Sequence, residues 1–116
     1  MPKVNKVLHG SVDTIAQKLK HGIVSVGTHV CLRDSWDSEA DGKKCIVQIY
    51  EKLSLMTGSP HYSMTVALFD AGEEIRLFAA TAGGSNKHFG NPYPEGEGEL
   101  IAILNTVLDV LDDIIV

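Results

Sequence analysis

Two neighbouring runs of the chain, YSMTVALF at residues 62–69 and EIRLFAATA at residues 74–82, alternate between apolar side chains and mostly polar or small ones. A period of two is typical of a β-strand that buries one of its faces. Two earlier runs, Ile23–Arg33 and Lys44–Leu53, show the same alternation. From Leu100 onward the apolar residues repeat with helical spacing instead. The sequence therefore predicts a four-stranded segment that is followed by an amphipathic helix.

The segment before these strands predicts one more strand and one more helix. Val4–Leu8 is a short strand, and Val12–Leu19 carries a helical stripe of apolar residues. Ser11 is suited to cap the start of that helix, and Gly22 is suited to end it in a left-handed conformation. The predicted order is strand, helix, four strands, helix, in a single domain over residues 1–116.

Short links between the four strands favour an antiparallel meander. Asp41-Gly42, Gly58-Ser59-Pro60 and Ala71-Gly72 are turn sequences, whereas parallel neighbours need long crossovers. The first strand is joined to the second through a helix, so it runs in the same direction and fits best beside the last strand. We therefore predict an α+β fold, with a five-stranded antiparallel sheet in the order 2-3-4-5-1 and two helices packed on one face.

Alternation also assigns each strand residue to a face. If the helices cover the aliphatic side, Cys31 and Cys45 point to opposite sides of the sheet, and we expect two free thiols. The residues that this assignment directs towards the helices are Val24, Val26, Val30, Leu32, Val47, Ile49, Leu53, Tyr62, Met64, Val66, Leu68, Ile75, Leu77 and Ala79.

Composition excludes several classes of function. Fifteen acidic against ten basic residues give a formal net charge of -5, and an acidic domain repels nucleic acid. The first residues lack the apolar segment of a signal peptide, and no run is long enough to span a bilayer. We expect a cytoplasmic protein with neither nucleic acid nor membrane as a partner.

The outer face of the sheet is the first candidate site. With the face assignment above, Ile46, Tyr50, Phe69 and Phe78 form an apolar patch on a floor of small residues, which we interpret as an interface. A homodimer buries such a patch most simply, since isologous pairing is the commonest form of self-association. An ordinary solvated face and a bound small ligand are the alternatives. The leading hypothesis is a non-catalytic, self-associating domain.

A glycine-containing segment after the last strand is the second candidate. Gly83 and Gly84 allow backbone N–H groups to converge on an anion, and nearby cationic side chains add charge. Glycines that only turn the chain are the simpler interpretation. The alternative function is therefore a binder of an anion or small molecule, whose candidate residues are Gly83, Gly84, Ser85, Lys87, His88, His29 and Arg76.

Evidence for catalysis or metal binding is weak. The acidic stretch Asp34–Asp41 reads as a hairpin loop with Trp36 near its tip, but its spacing is not that of an EF-hand. The five histidines have no zinc spacing, and no nucleophile elbow is present. His29 as a base beside Arg76 would need a shared, water-poor pocket. We expect no cofactor, no metal site and no catalytic residue.

The element order resembles a half-repeat of the TATA-box-binding-protein-like fold. The DNA-binding members of that fold use a basic sheet, which this chain lacks, so the resemblance implies the architecture alone. Thr81–Ser85, the hairpin at Asp34–Lys44 and Tyr50-Glu51 also resemble a family of small bacterial proteins of unknown function. That family implies no activity.

Overall fold

A computed structural model describes residues 3–27, 29–53, 60–83 and 95–114. Along the chain the elements are β1 (Lys3–Leu8), α1 (Val12–Val26), β2 (Val30–Ala40), β3 (Lys43–Leu53), β4 (Pro60–Asp70), β5 (Ile75–Gly83) and α2 (Glu95–Ile114). The predicted order of one strand, one helix, four strands and one helix is confirmed.

The five strands form one antiparallel sheet in the order β1-β5-β4-β3-β2. This is the predicted order, read from the opposite edge. The β2–β3 hairpin turns at Asp41 (φ 54°) and Gly42 (φ 76°), as a two-residue turn with both central residues left-handed requires. Between β4 and β5, the amide of Gly72 (φ 97°) donates to the Asp70 carboxylate at 3.0 Å. Local turn chemistry therefore sets the antiparallel pairing.

Both helices pack on one face of the sheet, which we call the inner face, while the opposite side is the outer face. Helix α1 lies over β2, β3 and β4, and α2 lies over β4, β5 and β1. The core between the layers is formed by Leu8, Val12, Ile15, Ala16, Leu19, Ile23, Val30, Ile46, Tyr50, Met64, Val66, Leu68, Ile75, Leu77, Ala79, Leu100, Ile103, Leu104, Val107, Leu108 and Leu111.

Helix α1 continues past Gly22, where the sequence predicted its end. Gly22 lies inside the helix, and a Cβ added there would stand 2.7 Å from Cγ1 of Val107 in α2. This glycine is therefore needed for close approach of the two helices rather than for a left-handed cap. Ser11 is the N-cap residue as predicted, but its side chain makes no capping hydrogen bond.

The extension of α1 overturns the predicted second strand, Ile23–Arg33. Ile23 continues the buried helical stripe four residues after Leu19. Val24 and Val26, predicted to face the core from a strand, are 43% and 51% exposed on the helix. Strand β2 starts at Val30 and continues to Ala40.

The predicted acidic loop is also wrong, because residues 34–40 belong to this strand. Its pairing with β3 shifts register between Leu32 and Asp34, which leaves Arg33 as a bulge.

Helix α2 begins at Glu95, ahead of the predicted apolar stripe. Leu100, Leu104 and Leu108 are fully buried against the sheet, as the helical spacing predicted. The last turn carries no basic residue, so it lacks a cation at the negative end of the helix dipole.

Candidate functional site

Residues directly opposite one another on antiparallel strands point to the same side of the sheet, so the register defines rows across the outer face. Three rows cross all five strands from β2 to β1. The Trp36 row consists of Trp36, Val47, Ala67, Phe78 and Asn5. The Asp34 row consists of Asp34, Ile49, Thr65, Ala80 and Lys3. The Ser38 row consists of Ser38, Cys45, Phe69, Arg76 and Val7.

Large apolar side chains are exposed on this outer face. In the described part of the chain, Val7 is 42%, Trp36 59%, Phe69 45% and Phe78 49% exposed. The other large apolar residues with such exposure are the helical Val24, Val26 and Val110. The sheet therefore presents a concentration of solvent-exposed apolar surface, of the kind that marks interaction sites.

Charged side chains lie at the borders of this apolar area. Lys3 and Asp34 stand at the two opposite edges of one row. Within the described residues, neither has an ion-pair partner. Arg76 has a carboxylate neighbour at 3.7 Å, Glu74. An apolar centre with a charged rim is the usual anatomy of a protein interface.

Only half of the predicted patch lies on the outer face. Phe69 and Phe78 lie on the outer face, but Ile46 and Tyr50 belong to the core at 6% and 0% exposure. Strand β3 is apolar on both sides, and the side that faces the helices is the one predicted to face outward. Val47, predicted to face the core, lies in the Trp36 row instead.

A buried polar pair explains which side of β3 is covered. The Tyr50 hydroxyl donates to Oε1 of Gln48 at 2.7 Å, and Nε2 of Gln48 donates to the Ala16 carbonyl of α1 at 3.0 Å. Burial raises the pKa of Tyr50 because the phenolate would be desolvated. Both side chains satisfy their polar atoms inside the core. The sequence did not predict that Gln48 is a buried partner of Tyr50. The only indication in the sequence is that Gln48 lies two residues before Tyr50, on the same side of the strand.

His29 and Arg76 do not form a shared site. Strand β3 pairs Lys52 with Val30, which follows His29, whereas Cys45 lies in the Arg76 row. Lys52, which marks the position of His29, and Cys45, which marks that of Arg76, are seven residues apart on β3, or about 23 Å along the strand. His29 and Arg76 are therefore too far apart to act in the shared pocket that a base beside Arg76 would need.

The glycine segment can be placed only in part. Gly83 is the last residue of β5, while Gly84, Ser85, Lys87 and His88 lie outside the described residues. Anion binding there stays a prediction.

Two concavities on the helix side also lack the predicted ligand residues. An apolar groove of about 480 Å³ runs between α1 and α2, and a polar one of about 180 Å³ lies between α1 and the β2–β3 hairpin. Neither is lined by His29, Arg76 or Gly83.

Both cysteines are free thiols, as predicted, but for a different reason. Each lies on the outer side of the sheet, since Cys31 pairs with Glu51 and Cys45 with Ser38. Glu51, the partner of Cys31, lies six residues from Cys45 on β3, so the two cysteines are about 20 Å apart along the strands. A disulfide needs Cα atoms within about 7 Å. Distance along the strands, not opposite faces, keeps the thiols apart.

The acidic residues of the β2–β3 hairpin do not converge on a cation. Asp34 pairs with Ile49 on the outer face, whereas Asp37 pairs with the buried Ile46 on the inner face. The ammonium of Lys44 lies 2.8 Å from Asp13 and 3.7 Å from Asp37. Its hydrogen bond to Asp13 raises the pKa of Lys44. Among the described residues, no group of three or more metal-ligating side chains is present.

Comparison with known proteins supplies a family but no activity. Within the described ranges, neither helix combines the length and apolarity that crossing a bilayer requires. Neither the comparison with curated proteins nor that with solved structures finds a match. The resemblance to the TATA-box-binding-protein-like fold therefore stays a prediction. A family model described as a family of unknown function (DUF6054) matches residues 1–112, nearly the whole chain, and the protein belongs to that family.

Proposed function

We propose that this protein is a non-catalytic domain that forms a homodimer through the outer face of its sheet. The observation that carries the proposal is the row Trp36, Val47, Ala67 and Phe78, which continues across four strands with no charged residue. Two of its members, Trp36 and Phe78, are 59% and 49% exposed in a single chain.

Strand β3 supports the same proposal. Its inner face carries Ile46 and Tyr50, and its outer face carries Val47 and Ile49. A strand that is apolar on both sides is typical of a sheet covered on both faces. In the described part of the chain the helices cover only one of these faces, so a second layer accounts for the other.

The dimensions of the face are sufficient for a dimer. Five strands that each cover a width of about 4.8 Å make a face about 24 Å wide, and seven residues of β3 that each cover about 3.3 Å make it about 23 Å long. The flat area of this face is about 550 Å² per copy, or about 1,100 Å² for a pair. Protruding side chains add further surface to this value. This reaches the lower range of specific protein interfaces.

The edge of the sheet formed by β2 is a poorer surface for self-association. Strand β2 carries Asp34, Asp37 and Glu39. Edge-to-edge pairing of two copies would bring these carboxylates close together, and such charges protect edges from pairing. The face, with its apolar centre, has no such repulsion.

Light scattering coupled to size exclusion tests the proposal. We expect wild type to dimerise and Phe78→Glu, which places a carboxylate in the centre of the face, to be monomeric. Val110→Glu is the matched control, because Val110 is equally exposed at 53% but lies on α2. A monomeric wild type, or equal loss of dimer in both variants, would overturn the proposal.

A further inference from the structure

We infer that the two copies pack with a two-fold axis parallel to the central strand β4, so that Lys3 of each copy meets Asp34 of the partner subunit. This inference rests on the proposed function and specifies the arrangement of that dimer. It follows from the position of β4, which has two strands on either side, and from the charges at the ends of the Asp34 row.

The symmetry operation determines which residues meet. A two-fold axis that lies between the two outer faces and parallel to β4 keeps each row at the same height along the strands. It places the β1 edge of one copy opposite the β2 edge of the partner subunit. Residues of β4 then meet their own copies, and residues of β3 meet residues of β5. In the Trp36 row, Val47 therefore packs against Phe78 of the partner subunit, and Ala67 leaves room at the axis.

Charge complementarity selects this axis over the perpendicular alternative. With the axis along β4, the ammonium of Lys3 and the carboxylate of Asp34 face each other twice in the dimer. Neither has an ion-pair partner within the described residues of a single chain. An axis perpendicular to the strands and through the Trp36 row would instead bring Asp34 against Ser38 of the partner subunit, where the carboxylate is desolvated without a cation.

The sheets also satisfy general packing geometry. Stacked sheets lie about 10 Å apart, with strand directions within about 30° of each other. An isologous contact places each such ion pair at the rim, where charges set orientation more than affinity.

Charge reversal tests the arrangement. We expect Lys3→Glu and Asp34→Lys each to raise the dimer dissociation constant by roughly tenfold, because two attractive pairs become repulsive. The double variant Lys3→Glu/Asp34→Lys should return to within about threefold of wild type, since the charges are exchanged and not removed. The single effects should shrink in high salt. Lys20→Glu and Asp109→Lys, both exposed on the helices, are the controls.

The outcomes separate this inference from the proposed function. A dimer that Phe78→Glu abolishes but that neither single reversal weakens would overturn the axis while leaving the sheet-face dimer intact. Weakening by both single variants without recovery in the double variant would also overturn the pairing of Lys3 with Asp34. A wild type that is monomeric would overturn both.

Discussion

Replacing Gly22 by alanine tests how closely the two helices approach. An alanine in a helix interior is favoured over glycine by about 1 kcal/mol. The new Cβ, however, would stand 2.7 Å from Cγ1 and 3.1 Å from Cγ2 of Val107. Overpacking of this kind costs typically about 1–3 kcal/mol. We therefore predict that Gly22→Ala lowers the free energy of unfolding by about 1 kcal/mol.

The partner residue provides the control. Val107→Ala removes the methyl groups that the new Cβ would meet, at its own cost of about 1–3 kcal/mol for a shortened core side chain. In that background Gly22→Ala should stabilise the protein by up to about 1 kcal/mol, the helix propensity alone. Urea unfolding of wild type, both single variants and the double variant gives the coupling. Stabilisation by Gly22→Ala of equal size in both backgrounds would refute the close contact and restore Gly22 as the end of the helix.

Three further predictions concern the core and the thiols. Gln48→Leu should lower the free energy of unfolding by about 1–3 kcal/mol in urea titrations, because the Tyr50 hydroxyl loses its acceptor; stability equal to wild type would contradict the polar pair. Because burial raises the folded-state pKa of Tyr50 above its ordinary value of 10.0, its contribution is fully present below pH 10 and is lost as the pH rises towards the folded pKa. Thermal melts should therefore show a shallower alkaline decline for Tyr50→Phe, and identical declines would count against this cause. A thiol reagent under denaturing, non-reducing conditions should react with two groups per chain, whereas no reaction would indicate a disulfide.

The strand order could be predicted from the sequence because it depends on local features. Asp41-Gly42 and Ala71-Gly72 leave no room for crossovers, so β2 to β5 had to form a meander. The predicted helix Val12–Leu19, which joins the first two strands, then fixed the direction of β1. These features depend on link length and turn chemistry, which sequence reports directly.

The faces of β3 could not be predicted, because alternation identifies an inside only where one side is polar. Residues 45–50 read Cys, Ile, Val, Gln, Ile, Tyr, and both sides of such a strand are apolar. The fully aliphatic side was predicted to face the core, yet the other side is buried, since Gln48 bonds to Tyr50 and to the carbonyl of Ala16. That contact joins residues 32 positions apart and has no local signature.

The end of α1 was misread for a related reason. Ile23–Val26 reads equally well as a strand start and as the last turn of a helix, because a period of two groups Val24 with Val26, whereas helical spacing groups Ile23 with Leu19. Gly22 was taken as a helix stop, since its true reason, Val107, lies on a distant element. For the candidate site, the outer-face positions of Phe69 and Phe78 were predicted correctly, whereas those of Ile46 and Tyr50 on β3 were not.

Sedimentation equilibrium of the wild-type protein tests the central claim most directly. Over concentrations from about 1 µM to about 1 mM, the fitted mass should rise from the 12.5 kDa of one chain towards twice that value. A mass of 12.5 kDa across the whole range would contradict the account.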